Sequence, residues 1–369
     1  MKRLHTALLS LILASTLELQ AQEPSNNVTP STNKHFSILT QAQHSPAKDQ
    51  ARTNTCWNFA TSSFMESEVA RITGNLIELS EVFGVRYAYP LKADAYIRAQ
   101  AHANFWEGGN NHDAMDMLRL YGAVPRPQFT GLKTDEEKLD HAELALTTKA
   151  FLDAVIKGGS PSRSWRPAFE GILDAYIGKP PQQFVYQAKV YTPQSFRDQV
   201  LKINPDDYVE ITSFTHHPFY QKIRLEIPDN WTHNSHYLNL PLADMVRTMS
   251  SALQHGYTLS WGGDTSEKGY KVKEGYAVLE DESKTPTQEE RQQAFDNWRS
   301  TDDHSMHMVG LSQDEQGNPY FLIKNSYGKN SGPFEGHLHM SKNYVMMKTI
   351  YFMVHKDAIP ADIRAKSGI

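Results

Sequence analysis

One cysteine stands in this chain of 369 residues, Cys56, inside "DQARTNTCWNFATSSFMESEVARI". The thiolate, not the thiol, is the nucleophile of cysteine chemistry, so the question is what could ionise it. After it, Trp57, Ala60 and Phe64, then Met65, Val69 and Ile72, recur in steps of three and four. That spacing predicts a helix opening at Cys56. "TNT" at 53–55 offers N-cap side chains, and Gly74 and Asn75 supply a stop. Backbone N–H groups in a first helical turn lack helical partners and carry about half a positive charge. Such a field favours the thiolate, and a nearby imidazolium would favour it further.

The chain has 16 histidines, so composition selects none. The period of the last third does better. "HSMHMVGLS" (304–312) and "PYFLIKNS" (319–326) read as strands joined by "QDEQGN". A hairpin there places His304 opposite Asn325, Ser326 or Tyr327, with opposed Cβ atoms roughly 4.5–5.5 Å apart. With Asn325 as the partner, its amide oxygen would accept from one ring nitrogen and leave the other for a thiol. That is the logic of nucleophile, base and orienting group. Gln50, six residues before Cys56, could join the Cys56 backbone N–H as a donor to an oxyanion. "THH" and "HLH" have no carboxylate or cysteine that completes a metal set, so no metal or cofactor is expected.

A second helix is expected from about His112 to Tyr121, and "DEEKLDHAELALTTKAFLDAVIKGG" adds helical character in a middle region, 130–255, otherwise broken by proline-rich loops. "GHLHMS" and "TIYFMVHK" continue the strands. Helices early and strands late, without alternation, point to an α+β fold.

Composition narrows the class. With 39% hydrophobic residues and 21% charged, the chain can fill a core. A net charge of -5 and no basic block give no sign of a nucleic-acid partner, and none is expected. Lys2, Arg3 and the apolar run Ala7–Leu17 read as a signal peptide ending at Ala21, too short for a membrane span of about 20 residues. A flexible lead-in at 22–35 follows. The expected location is secreted or periplasmic, with no stable membrane insertion once the signal is removed. A single cysteine forms no disulfide within the chain, so Cys56 is either buried and inert or kept for its chemistry.

Taken in order, Gln50, five residues, Cys56-Trp57 and "NFA", "GG" at 108–109, "DHSMHMVG" and "KNSYG" resemble papain-like cysteine peptidases. "IGKPPQQFVY", "YTPQSFRDQVL", "TLSWGGDT" and "DDHSMH" resemble the bleomycin hydrolase and aminopeptidase C branch. The resemblance implies a papain-like domain over 36–369, with a branch-specific middle at 130–255. A helical part and a β-rich part would flank an active-site cleft. It implies Cys56 as nucleophile, His304 as general base and acid, Asn325 as its orienter and Gln50 in the oxyanion hole. Gly108 and Gly109 would let a peptide backbone approach. It further implies peptide substrates, removal of N-terminal residues, assembly into hexamers, and a C-terminus at Ile369 that restricts the cleft. An endopeptidase of the same fold and a non-catalytic peptide-binding module are the alternatives. The chain departs from the pattern at "TNT", where a small residue is usual before "CW", and at Tyr327, which replaces a tryptophan.

Overall fold

The helix expected to open at Cys56 does so. In the computed structural model, which describes residues 34–133 and 137–369, α1 spans Cys56–Thr73. It stops at Gly74, whose φ of 75° is left-handed and costs glycine little. The expected signal peptide and the lead-in up to residue 33 lie outside the described residues.

The stripe expected on one face of α1 understates its burial. Helices α2 (Glu81–Arg98) and α3 (Asn111–Tyr121) cover one side and the sheet covers the other. Even Glu66 and Glu68 are 0% and 1% exposed. A buried carboxylate must be paired and hydrogen-bonded, and Glu66 is. Lys48 Nζ lies 2.5 Å from its Oε1, the Leu79 N–H donates to the same atom at 2.7 Å, and the Ser45 hydroxyl donates to Oε2. Lys48 also reaches Glu81 at 2.7 Å, and Lys324 Nζ donates to the Ser45 carbonyl at 2.7 Å. This network ties together the segment before Gln50, the helix of Cys56 and the strand end before Asn325. Glu66→Ala leaves Lys48 and Lys324 short of a counter-charge and is expected to lower unfolding free energy by about 3–5 kcal/mol. A urea midpoint equal to that of the unmodified chain would show that the network is dispensable.

The sheet is built around strand His304–Asp314. It pairs antiparallel with Leu259–Gly263 on one side and Pro319–Lys324 on the other, while Phe36–Gln41 pairs with its far end. Thr349–His355 continues the sheet beside Leu259–Gly263, and Tyr208–Thr212 beside that. In the hairpin His307 faces Lys324, and a bulge between Met308 and Gly310 shifts the register by one. The pairing expected between His304 and one of residues 325–327 does not form as a ladder. His304 pairs instead with Gly263 of the other neighbour. The second strand ends at Lys324, and the Asn325 N–H donates to the Gly336 carbonyl at 3.0 Å, on the side of the strand His337–Ser341. His304 and Asn325 therefore meet through side chains alone.

One apolar core lies among the helices, around Trp57, Phe64, Phe83 and Phe105. Another lies on the sheet, around Trp261, Met308, Ile323 and Phe352. In the middle region Ala142–Lys157 and Trp165–Tyr176 are helical and feed the first core. Helical and β-rich parts meet where α1 packs on the strand of His304.

Candidate active site

The turn before α1 differs from the expectation. Thr55 is the N-cap, at φ −103° and ψ 28°, and makes no side-chain capping bond. Its hydroxyl instead meets Thr53 Oγ1 at 2.8 Å. The Asn58 N–H donates to the Thr55 carbonyl at 3.0 Å, while that of Trp57 favours the charged form of the Cys56 sulfur. The Ser305 backbone N–H makes a second such contact. Cys56 is therefore seated against the residue that follows His304.

His304 is buried, and its Nε2 lies 2.8 Å from Asn325 Oδ1. The same Oδ1 accepts from the Ser326 N–H at 2.8 Å, and Asn325 Nδ2 donates to the Tyr270 hydroxyl at 3.1 Å. Those partners fix which end of the amide is oxygen, so Nε2 must carry the proton of a neutral ring. Nδ1 then holds the lone pair a general base needs. The Tyr327 ring stacks on the imidazole at 5.2 Å between centroids and 18° between planes. It forms the aromatic lid over the His304–Asn325 bond, in a smaller form than tryptophan would.

Gln50 is buried beside them. Its Oε1 accepts from Ser326 Oγ at 2.5 Å, and one proton of Nε2 goes to the Thr53 carbonyl at 2.6 Å. The other proton of Nε2 remains for a ligand. Next to it Ala51 takes φ 50°, a left-handed conformation uncommon outside glycine, and its N–H is held by Asp49 Oδ1 at 2.8 Å. Cys56, His304, Asn325 and Gln50 are thus brought to one place from a loop, a helix and two strand ends.

A side chain at either glycine of the pair would collide with a packed neighbour. A Cβ on Gly109 would lie 3.0 Å from the Trp57 ring and 3.1 Å from Asp113 Oδ2. A Cβ on Gly108 would lie 2.1 Å from Asp229 Oδ2. Asp229 belongs to a distant loop and carries no local signal in the sequence. Trp57 is held by its indole N–H, which donates to the Glu107 carbonyl at 2.9 Å.

Electrostatics reverse one expectation. The helix start does not ionise Cys56: burial pushes the thiol up to about 12, against the two backbone N–H groups, and the charges of Asp302 and Asp229 push it the same way. Burial also lowers the imidazole of His304, against its bond to Asn325. The resting site therefore holds a neutral thiol and a neutral ring. Desolvation of the sulfur outweighs the two backbone N–H groups that favour the thiolate.

One further expectation changes. A carboxylate does join "THH": Glu226 Oε2 lies 3.3 Å from His216 Nε2 and 3.0 Å from His217 Nε2. Gln292 Oε1 accepts from the Thr215 N–H, so its Nε2 donates to His216 Nδ1 at 3.0 Å. That leaves His216 Nε2 as the protonated atom, a donor to Glu226 rather than a metal ligand. The chain ends in the helix Ala361–Ser367. Ile363 is buried in the sheet core, Asp362 pairs with Arg247 at 2.6 Å, and the Ile369 N–H returns to the Arg364 carbonyl at 3.2 Å. None of its hydrogen bonds or ion pairs among the described residues reaches Cys56.

Residues 169–367, more than half of the chain, match the model of the Peptidase C1-like family. The chain belongs to the Peptidase C1-like family. The family match contains His304 and Asn325, while Cys56 and Gln50 precede it and join through the fold. Aminopeptidase G of Lactobacillus delbrueckii subsp. lactis is similar at 24% identity over 287 residues, 69% of this chain. This Peptidase C1-like chain spans 64% of that relative's length. The crystal structure of PepW from Lactobacillus rhamnosis HN001 is similar with a TM-score of 0.72 at 17% identity, covering 89% of this chain and 84% of that one. The fold is thus the papain-like α+β fold of the family.

Proposed function

We propose that the chain is an exported cysteine peptidase that removes N-terminal residues from peptides. The observation that carries this reading is the His304 imidazole, oriented by Asn325 and lidded by Tyr327, on the strand whose Ser305 N–H contacts the Cys56 sulfur. The relative named aminopeptidase G supports the exopeptidase part. The signal-like opening residues support export, and the motif resemblance supports peptide substrates and a hexamer.

Because thiol and imidazole rest neutral, the proton moves as attack begins. Cys56 Sγ adds to the peptide carbonyl carbon while its proton passes to His304 Nδ1. The carbonyl oxygen becomes an oxyanion, met by the Cys56 N–H and the unused proton of Gln50 Nε2. His304 gives its proton to the leaving nitrogen as the C–N bond breaks, leaving a thioester on Cys56. Water then adds with His304 as base, and the acid departs as the thiol re-forms. Asn325 holds the ring in the tautomer that serves both steps.

Mass-spectrometric mapping of products from a peptide mixture tests the reading. Loss of single residues from free N-termini is expected, with Nα-acetylated peptides left intact. Internal fragments from the acetylated peptides would replace it with an endopeptidase.

A further inference from the structure

We propose that Asp229, backed by Asp302, binds the α-ammonium of the substrate and that the Asp229 loop blocks longer chains from passing Gly108. This rests on the aminopeptidase reading and supplies what that reading lacks: a group that recognises a free N-terminus.

The placement comes first. Asp229 Oδ2 fills the space over Gly108, 2.1 Å from where a Cβ would stand. Gly108 immediately precedes Gly109, which lies against Trp57, the residue after the nucleophile. A peptide running beyond its first residue along the glycine pair would meet this carboxylate. The carboxylate is only partly spent, since Asn104 Nδ2 donates to Oδ1 at 3.0 Å and Oδ2 accepts no hydrogen bond among the described residues.

Asp302 is the second, independent observation. Its Oδ2 is closed to solvent and has no hydrogen-bond partner among the described residues. Tyr351, itself 0% exposed, sits beside it, and its hydroxyl is the neighbour that favours the charged form of Asp302. The charged groups acting on Asp302 are Asp229, Asp303 and Glu210, all acidic. Glu210 already has a cation in His112, at 2.7 Å. Lys92 acts on Asp229, but its ammonium donates to the carbonyls of Trp106 and Gly108. Burial, and then the charge of Asp229, hold the Asp302 carboxyl well above the usual carboxylate range, so without a ligand it keeps its proton, and an ammonium beside it would favour the charged form. The charges of both Asp302 and Asp229 act on the Cys56 sulfur.

The arrangement also couples binding to reactivity. Negative charge on these two groups disfavours the thiolate, and an ammonium lodged beside Asp229 offsets that field. Only a substrate with a free N-terminus would then ease ionisation of Cys56.

Asp229→Asn and Asp302→Asn test this with two readouts. On aminoacyl amides with a free amine, kcat/KM should fall by roughly 10–100-fold, the worth of a charge-assisted contact. Nα-acetylated analogues should show no such loss. In Asp229→Asn, alkylation of Cys56 by uncharged iodoacetamide at neutral pH should become faster, because a charge opposing the thiolate is gone. Gly108→Ala keeps both charges but displaces Asp229, and should give the same selective loss if either Asn variant fails to fold. An unchanged free-amine kcat/KM, or an equal loss on both substrate types with slower alkylation, overturns the anchor. If the unmodified enzyme itself fails to prefer free amines, the aminopeptidase reading falls. If it prefers them and Asp229→Asn keeps that preference, the anchor alone falls.

Discussion

Cys56→Ser is expected to reduce kcat/KM on aminoacyl amides by about 10⁴–10⁶-fold, the range seen when a nucleophile is removed from a cooperating set. The sulfur is the atom that bonds to the acyl group, and nothing else in the site can replace it. Serine keeps the size and one polar hydrogen but is far harder to deprotonate. The site adds no compensating push, since burial and the charges of Asp302 and Asp229 already oppose an anion at this position. Cys56 is only partly buried and forms no disulfide. Loss of sulfur therefore removes little packing, and the melting temperature should stay within a degree or two. Steady-state kinetics beside a thermal melt check both halves. A folded serine variant within tenfold of the parent would mean that the acyl group never rests on residue 56, and the mechanism above would fall.

Much of this site is legible in the order of residue types. Cys56 at a helix start, Gly74 as its stop, the hairpin of His304 and the glutamine six residues upstream are local patterns, and local backbone chemistry decides them. What escapes the sequence depends on atoms far apart in the chain. The burial of Glu66 and Glu68 follows from α1 being covered on both sides, which no apolar stripe reveals. Desolvation of the thiol needs the finished cleft, so a reading from helix polarity alone gets the resting state wrong. Asp229 is 173 positions from Cys56 in sequence (229 minus 56) and reaches the glycine pair only through the fold. Ser326 and Tyr270, which orient Gln50 and Asn325, had no signal of their own beyond adjacency for the former. The Thr55 hydroxyl had a nearer partner in Thr53 than the helix N–H groups it was expected to cap.

Gln50→Ala should lower kcat by about 10²–10³-fold with a much smaller change in KM, because an oxyanion donor acts mainly in the transition state. The structure lets this effect be separated from damage to the loop. Gln50 makes two other bonds, to the Thr53 carbonyl and from the Ser326 hydroxyl. Alanine abandons both, with a stability cost of about 1–3 kcal/mol that a melt will show. Gln50→Glu keeps the volume and the oxygen that Ser326 needs, while it replaces the amide donor with a second oxygen. If Gln50 is only a loop brace, Glu should retain most of the activity. If it meets the oxyanion, Glu should be at least as poor as Ala, since a carboxylate would repel the charge it replaces a donor for. Ser326→Ala supplies the third comparison. It removes the orienting bond but leaves the donor, so its kcat should lie between those of the parent and Gln50→Ala. An active Gln50→Glu variant would move the oxyanion donors elsewhere, to the backbone N–H of Cys56 alone.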